Sequence, residues 1–593
     1  MARRFRLQDA VAIVQASGSD SEPSDDDPSE IGDSDDTIAV DPDEEITPDS
    51  QPSSDNESPP LQRRRLTADA RAQQLVGRNG HVWSTIAPAP RQATAANVLR
   101  QNAGLTAEAR GCQDIHAAFN MFLTEDMLLL LVRETNRRAR RVTLEWNNSD
   151  EHDVQHNWQD TDAVEMSAFI GLLILAGVHK SAGESLDELW SANEGRPIFR
   201  ATMSQTRFKE LLRFCRLDNG ATREQRTAQD KLAAARDFWE MFIATLPGAY
   251  KPGADLTIDE QLIATRGRCG FKQYIPSKPG KYGIKVFWLC DNETSYPLKG
   301  EVYVGHQPGA AANANNVRDL VKRLVRPWQN SGRNVTMDNY FTSVELATDM
   351  LAVKTTIVGT MRKNRGHIPP EMQPSRQRAE LSSVFGFDRQ LTLTSYVPKK
   401  GKAVILLSSM HHDDEIDENH SKKPAIIMHY NATKSGVDNL DHLVRLYSCK
   451  RKTNRWPMTM LFNTIDCAAV AAYVIWTTKH PEWNQQKNYK RRLFLKELGC
   501  QLVETALDRR QENAQAMQKH VKMAFKALGR QVDRPAIAHD PAAAQPHSRR
   551  QRCLLCARSN DKKVTTTCSA CHNPCCKDHG QFVCDTCRDE ADD

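Results

Sequence analysis

Ala254-Asp255-Leu256-Thr257-Ile258-Asp259-Glu260-Gln261-Leu262 alternates apolar and polar residues around β-branched ones, the pattern of a β-strand. Lys281–Cys290 (KYGIKVFWLC) reads as a second strand and Tyr296–Val304 as a third. Val317–Val325 has apolar residues at helical spacing. Asn334-Val335-Thr336-Met337 then makes a short buried strand that stops at Asp338. Ser343 starts the next helix and Thr355–Thr360 (TTIVGT) is a further strand. The first three strands can pair as a meander, while the long crossovers after the third favour parallel pairing. Asp259 and Asp338 then lie on neighbouring strands. Two carboxylates so placed suit the gripping of divalent metal for phosphoryl transfer.

Three strands, a helix, a strand, a helix and a strand is the order of a ribonuclease-H-like sheet, so the fold class is α/β. At 593 residues the chain predicts several domains. Its formal net charge of +4 conceals an asymmetry. Asp20–Glu57 holds 16 acidic residues and no Lys or Arg, leaving 79 basic against 75 − 16 = 59 acidic elsewhere, or +20. A body this basic suits a polyanion, and nucleic acid is the usual one. Met1–Asp20 lacks the apolar core of a secretory signal. Met458–Trp476 is apolar enough for a membrane span, but Asp466 near its middle would cost roughly 2.5–3.5 kcal/mol in a bilayer, so a buried helix is expected. Of 15 cysteines, eight crowd into Cys553–Cys587, which points to a reducing compartment and a metal module rather than a disulfide scaffold.

Residues 1–75 are poor in aromatics and rich in Asp, Glu, Ser and Pro, which predicts disorder. Residues 97–253 read as helical, with apolar faces at Leu128–Val132, at Met166–Val178 and at Phe208, Leu211, Leu212 and Cys215. Ser204 is the candidate N-cap of the last helix. Its opposite face carries Arg207, Lys209, Arg213 and Arg216, a solvated face or a DNA-backbone contact. After the central stretch (254–363), residues 364–423 read as an inserted β-rich piece, with strands at Leu391–Val397 and Ala403–Ser408. Ala425–Tyr430 reads as a strand, and Gly436 precedes a helix carrying Asp438 and Asp441, three apart and so on one face. The helix leads into Lys450-Arg451-Lys452-Thr453-Asn454-Arg455-Trp456-Pro457, a basic run beside an aromatic that suits DNA handling. Helices continue to about residue 528, and 529–551 is a Pro/Ala-rich basic linker.

The terminal cysteines pair as Cys553-x2-Cys556, Cys568-x2-Cys571, Cys576-x2-His579 and Cys584-x2-Cys587, eight ligands for two structural Zn²⁺ ions. Alternation of the pairs suggests a cross-brace, with Cys553, Cys556, Cys576 and His579 on one ion and Cys568, Cys571, Cys584 and Cys587 on the other. Cys575 is a spare thiol that competes with Cys576. So short a segment depends on metal to fold.

Several of these motifs together resemble the piggyBac transposases: Thr257-Ile258-Asp259-Glu260-Gln261-Leu262, Arg266-Gly267-Arg268, Tyr274-Ile275-Pro276, Lys281-Tyr282-Gly283-Ile284-Lys285, Met337-Asp338-Asn339-Tyr340-Phe341, Gly436-Val437-Asp438-Asn439-Leu440-Asp441 and Arg451–Pro457, with the terminal Cys/His spacing. The likeness runs with gaps from near His81-Val82-Trp83-Ser84-Thr85 to Cys587. It implies a ribonuclease-H-like catalytic domain (254–363 and 424–447) interrupted by an insertion domain (364–423). It further implies a helical dimerisation and DNA-binding domain split into 97–253 and 448–528, and a cysteine-rich zinc finger (552–593) that reads the transposon end. The implied activity is cut-and-paste movement in the nucleus, with excision through hairpinned ends and integration at TTAA. The implied catalytic acids are Asp259, Asp338 and Asp438, with Asp441 a fourth nearby. Together these acids would hold two Mg²⁺ ions, or Mn²⁺ in their place. Candidate DNA contacts are Arg266, Arg268, Lys272, Lys281, Lys285, Lys450, Arg451, Lys452, Asn454, Arg455 and Trp456. The implied partners are double-stranded DNA and a second copy of the chain, with neither a membrane nor a small-molecule substrate.

Two other classes are distinguishable. A domesticated transposase that binds DNA without cutting it has no need of all three aspartates. A ubiquitin-ligase finger is disfavoured by a histidine that stands sixth in ligand order and by a catalytic domain it would not explain.

Overall fold

The chain joins its central sheet early. Gln74–Val76 (β1) and Val82–Ser84 (β2) form an antiparallel pair. Fully buried Trp83 donates its ring N–H to the His367 carbonyl at 2.8 Å. A helical stretch follows, including Glu125–Asn147 (α1), Ala163–Val178 (α2), Gln205–Phe214 (α3) and Arg236–Ala249 (α4). Thr124, Asp162 and Ser204 cap the first three of these through their side-chain oxygens.

The central stretch then lays down Asp255–Ala264 (β3), Gln273–Tyr274 (β4), Tyr282–Asp291 (β5) and Pro297–Val302 (β6). Strand β5 pairs antiparallel with β3, β4 and β6, the expected meander with one extra short strand. Helix Val317–Val325 (α5) crosses to Asn334–Met337 (β7), and Val344–Ala352 (α6), capped by Ser343, crosses to Thr356–Thr360 (β8). Strands β3, β7 and β8 are mutually parallel in the order β3-β7-β8.

Residues 364–423 were expected to interrupt this pattern, but they extend the same sheet. Ser383–Asp388 (β9), Leu391–Tyr396 (β10) and Val404–Ser408 (β11) are antiparallel, and β11 pairs with β8 through Val358↔Ser408. Strand β2 closes on β9, giving eleven strands in one sheet among the described residues. In this computed structural model those are 74–89, 98–99, 101–149, 155–305, 316–514, 517–532, 551–557, 559–560, 562–569 and 573–580. The expectation of disorder over 1–75 falls outside them except for Gln74 and Leu75, which begin β1.

Ala425–Tyr430 is not a strand. Ala425–Thr433 is a helix (α7), because its short apolar run faces a ready-made sheet surface: Ile426 and Ile427 pack on Val358, Tyr396 and Leu406. A six-residue apolar run carries no periodicity that separates the two states. Polar contacts fix α7 in place. The Thr336 and Thr433 hydroxyls lie 2.7 Å apart, Thr257 donates to the Thr433 carbonyl at 2.8 Å, and His429 Nε2 lies 3.2 Å from Asp255.

Helices Gly436–Leu446 (α8), Trp456–Lys479 (α9) and Lys490–Glu512 (α10) follow. The last joins the helices that precede the sheet in sequence, with Ser167 of α2 donating to the Leu502 carbonyl of α10 at 3.3 Å. Helix α9 is long and apolar enough to cross a membrane, yet 94% of its apolar window is buried within the protein, as a core helix is. Its Asp466 accepts bonds from Ser448 Oγ (2.6 Å) and Cys449 N (2.9 Å), and burial lifts its pKa to about 6.

Arg455 and Arg451 tie this assembly together. Arg455 donates to the carbonyls of Leu212, Arg213 and Cys215, which α3 leaves unpaired at its C-terminus, and its charge suits that end of the helix dipole. Arg451 is buried and donates to the carbonyls of Ser181 and Glu184. Arg455→Met should therefore lower unfolding free energy by about 2–4 kcal/mol, because three carbonyls lose a charged donor. Exposed Arg268→Met should change it by no more than about 0.5 kcal/mol. Urea midpoints of the two variants check this, and equal midpoints would return Arg455 to the DNA surface.

Candidate functional site

The last matched pair between β3 and β7 is Ile258↔Met337, and between β7 and β8 it is Met337↔Gly359. Asp259, Asp338 and Thr360 are the next residues on three adjacent parallel strands, so they stand in a row where the parallel pairing ends, about 4.8 Å apart from strand to strand, while β3 itself runs on to Ala264. They share one face, because Thr257 and Thr336, two residues earlier, both touch Thr433 of α7. The outer ends of parallel strands are where open α/β sheets place their ligand sites.

Helix α8 delivers the third acid. A Cβ added at Gly436 would lie 2.8 Å from Thr257 Oγ1 and 3.1 Å from Thr257 Cβ. Only glycine lets the helix start this close to β3, and Asp438 follows in the first turn beside Asp259. The electrostatics record the convergence. Burial, Glu260 and Asp338 push Asp259 well above the usual carboxylate range, with Lys278 opposing and Asp438 adding to the rise. Burial and Glu260 lift Asp338 to about 6, against the Tyr340 N–H bond at 2.9 Å and the charges of Lys285 and Arg362.

Further residues surround the acids, and of these Lys278 and Tyr430 carry no sequence signal of their own. Lys278 Nζ lies 3.3 Å from Asp438; burial disfavours its charge, but Asp259, Asp438 and Glu260 keep its pKa above the ordinary value. Glu260 faces Lys285 at 3.7 Å, and the Lys285 ammonium sits over the rings of Tyr340 (4.7 Å) and Phe287 (4.8 Å). The Tyr430 phenol is bonded to Thr360; burial raises its pKa, and Asp338, Asp259 and Asp438 raise it further. Tyr430 thus lies within electrostatic reach of all three acids.

Asp441 does not join them. Helix α8 runs along β3, so one turn on from Asp438 its buried carboxylate meets Gln261 Nε2 (3.1 Å) and Arg445 Nε (3.1 Å). Gln261 in turn accepts from Trp288 and Asn463. Asp441 is a link in a buried network, with one carboxylate oxygen on Gln261 and the other on Arg445. A cleft of ≈ 760 Å³ opens beside it, bordered by Lys180, Lys278, Arg445, Lys450 and Lys452.

The candidate DNA contacts divide. Arg266, Arg268, Lys281, Lys452 and Asn454 are exposed. A Cβ at Gly267 would sit 2.0 Å from the Asn454 carbonyl oxygen, so the Arg266-Gly267-Arg268 turn rests directly on the Asn454 backbone and the two basic motifs form one surface. Lys272 lies 5.9 Å over the Tyr282 ring. Lys450 donates to the Ala264 carbonyl, and Trp456 packs edge-on against Phe271 at 5.1 Å. Arg451 and Arg455 point inward, as described above. On α3, Arg207 pairs with Glu165 (2.7 Å) and Lys209 with Asp187 (3.4 Å), so these two tie α3 to its neighbours, while Arg213 is exposed.

At the C-terminal end, the ligand atoms of Cys553, Cys556, Cys576 and His579 all lie within 4.8 Å of one another. Cys556 Sγ is 3.7 Å from Cys576 Sγ, close to the edge of about 3.8 Å for a tetrahedron with 2.3 Å Zn–S bonds. His579 Nδ1 is 3.2 Å from Cys576 Sγ and 3.5 Å from Cys556 Sγ. Three thiols and an imidazole in this arrangement fit Zn²⁺. Burial opposes the Cys553 thiolate, but backbone N–H groups of Cys576, Leu555 and Cys556 outweigh it and bring the pKa to about 6. Cys575 is buried outside the cluster, its N–H donating to the Thr566 carbonyl. Cys568 is buried against these cysteines, while Cys571, Cys584 and Cys587 lie outside the described residues.

A family model described as Transposase IS4 matches residues 116–473, more than half of the chain. A cryo-electron microscopy structure of a piggyBac transposase synaptic complex with hairpin DNA is 33% identical to this chain, with a TM-score of 0.69, and the match covers 82% of this chain and 100% of that one. Identity and fold similarity at this level, over the whole length of the relative, make this chain a member of the piggyBac family of transposases.

Proposed function

We propose that this chain is a cut-and-paste DNA transposase that binds the terminal inverted repeats of its element, excises it through hairpinned ends and integrates it at TTAA by metal-dependent phosphoryl transfer. The observation that carries the reading is the convergence of Asp259 and Asp338, side by side where the parallel pairing of β3 and β7 ends, with Asp438 from the first turn of α8. It also separates the reading from that of a non-cleaving DNA binder, since crowded carboxylates repel phosphate and serve no purpose in holding a polyanion.

The donor set fits divalent metal. The site offers hard carboxylate oxygens, and its acids are raised in pKa by burial and by neighbouring carboxylates, Glu260 above all, which a cation relieves. Asp259, Asp338 and Asp438 would hold two Mg²⁺ ions. Bound there, the metal supplies Lewis acidity and a nucleophile of lowered pKa. The chain's own residues do the rest. Lys278 balances the charge on Asp259 and Asp438, Lys285 balances Glu260, and the Tyr430 hydroxyl stays protonated beside the acids. The exposed Arg266, Arg268, Lys281, Lys452 and Asn454 hold phosphates along the approach.

The same reading takes residues 254–363 and 424–447 as the ribonuclease-H-like catalytic domain and 364–423 as its insertion. It takes 97–253 and 448–528 as one split dimerisation and DNA-binding domain, supported by the packing of α2 on α10. Residues 552–593 are the zinc finger that reads the transposon end, and the protein works as a homodimer in the nucleus.

Asp259→Asn, Asp338→Asn and Asp438→Asn should each lower Mg²⁺-dependent nicking of end DNA by at least about 10³-fold while leaving DNA affinity near wild type. Asp441→Asn should keep measurable nicking and instead lose about 1–3 kcal/mol of stability, since it disrupts the bonds to Gln261 and Arg445. A nicking assay with a parallel melting curve decides both. Near wild-type nicking by any triad variant removes that residue from the site.

Protons should compete with metal. Asp259 and Asp338 are raised in the folded protein, so their contribution to stability without metal is greatest at low pH and is lost as pH rises, for Asp338 through about 6. Added Mn²⁺ should therefore raise Tm more at pH 7.5 than at pH 5.5, and nicking should fall as pH drops through about 6. An equal Tm shift at both pH values would contradict this.

Truncation after Arg550, or removal of zinc by a chelator, should abolish preference for end DNA over scrambled DNA. Residual binding should remain and weaken linearly in log salt, as phosphate contacts release counterions. Binding titrations on both DNAs check it; undiminished preference after truncation places recognition in the body.

A further inference from the structure

Tyr274 on β4 and Tyr282 at the start of β5 are cross-strand partners, with ring centroids 4.7 Å apart. Both are more than half exposed, at 55% and 51%. Two large aromatic rings held side by side in water contribute little to any core, and the sheet needs neither of them to close. Paired exposed aromatics of this kind mark a surface that meets a partner.

The surroundings state what kind of partner. A shallow depression of ≈ 580 Å³ beside Tyr282 is lined by Arg266, Lys272, Lys281, Pro279 and Gly280, with no acidic residue among them. Lys272 Nζ stands 5.9 Å from the Tyr282 ring centroid. The matching ligand is planar and anionic: a nucleotide. In a duplex both faces of each base are already covered by its neighbours, whereas an unpaired base has a free face to stack.

The position links this surface to the acids. The tight turn 275–281 is held by bonds from Ile275 N to Lys281 O (2.8 Å) and from Lys281 N to Lys278 O (2.9 Å). Lys278 in that turn contacts Asp438. Along the sheet, Gly283 pairs with Ala264, five residues past Asp259 on β3, or about 16 Å at 3.3 Å per residue.

Resting on the transposase reading, we infer that Tyr274 and Tyr282 form a stacking platform for an unpaired base of the DNA substrate, within a few nucleotides of the phosphate that reacts at the acid triad. Arg266, Lys272 and Lys281 hold the backbone of that same strand.

The test uses the full-length protein without Mg²⁺ and two probes: a single-stranded oligonucleotide carrying 2-aminopurine, and the same sequence fully paired. The wild type should quench the single-stranded probe and leave the duplex nearly unchanged. Tyr282→Ala and, independently, Tyr274→Ala should lose that quenching and about 5- to 150-fold of single-strand affinity, the span of one stacked base. Tyr282→Phe should retain both, since stacking needs the ring and not the hydroxyl. Lys272→Ala should weaken binding and flatten its salt dependence while leaving the bound probe quenched. Unchanged quenching in both alanine variants overturns the platform, as does equal loss of affinity for single strand and duplex, which would mean a structural role or a protein partner for the rings. A wild type that quenches but never nicks end DNA with Mg²⁺ sinks the transposase reading and leaves the platform standing. One that nicks while the alanine variants still quench sinks the platform alone.

Discussion

The parallel pairing of β3 with β7 is the constraint on which the rest depends. Its register ends at Ile258↔Met337 and forces Asp259 and Asp338 to be neighbours. Two ionised carboxylates one strand spacing apart repel by about 3 kcal/mol at an effective dielectric of about 20. The sheet holds them there because the strands behind them are anchored in the core: Leu256, Ile258, Val335 and Met337 are all buried. Burial does most to raise the pKa of both acids and Glu260 comes next, while Asp338 adds to the rise at Asp259.

The third acid arrives by a different device. Gly436 lets α8 begin against Thr257, and the hydroxyls of Thr257, Thr336 and Thr433 pin the preceding helix to the same face. Asp438 is 62% exposed, so its ion pair with Lys278 is worth no more than about 1 kcal/mol in itself. Lys278 matters because it also reaches Asp259, where burial leaves water less able to screen the charge. A metal site built this way is held in shape by apolar packing and hydroxyl contacts, and its cations only moderate the repulsion.

Much of this was legible in the sequence, for local reasons. Alternation identified β3, hydrophobic runs ending at Asp338 and Thr360 identified β7 and β8, and pair spacing identified Cys553, Cys556, Cys576 and His579. What stayed hidden depends on tertiary partners. The run Ala425–Tyr430 becomes a helix only because Val358 and Leu406 offer it a surface. Asp441 shares a helix face with Asp438, but the path of α8 along β3 sends it to Gln261 instead. Lys278 and Tyr430 sit in no motif of acids or metal ligands, and nothing in the one-dimensional pattern brings Tyr430 to Thr360.

The basic run after α8 shows why charge counting reached the right partner through partly wrong residues. Composition weighs every guanidinium alike, whereas the chain from Lys450 to Arg455 alternates in direction as it leaves the helix. Arg451 and Arg455 face inward onto backbone carbonyls, while Lys452 and Asn454 face outward beside the Arg266-Gly267-Arg268 turn. Burial costs the inward pair some basicity, and Arg455 falls to about 10 with Arg223 and Arg138 nearby. Its bond to the Leu212 carbonyl offsets that cost, and at the Arg213 and Cys215 carbonyls it shares the end of α3 with Arg216. The inward residues clamp the segment to the helical layer and so hold Lys452, Asn454 and the adjoining arginines in one plane. The cationic surface therefore owes its shape to the arginines that do not belong to it.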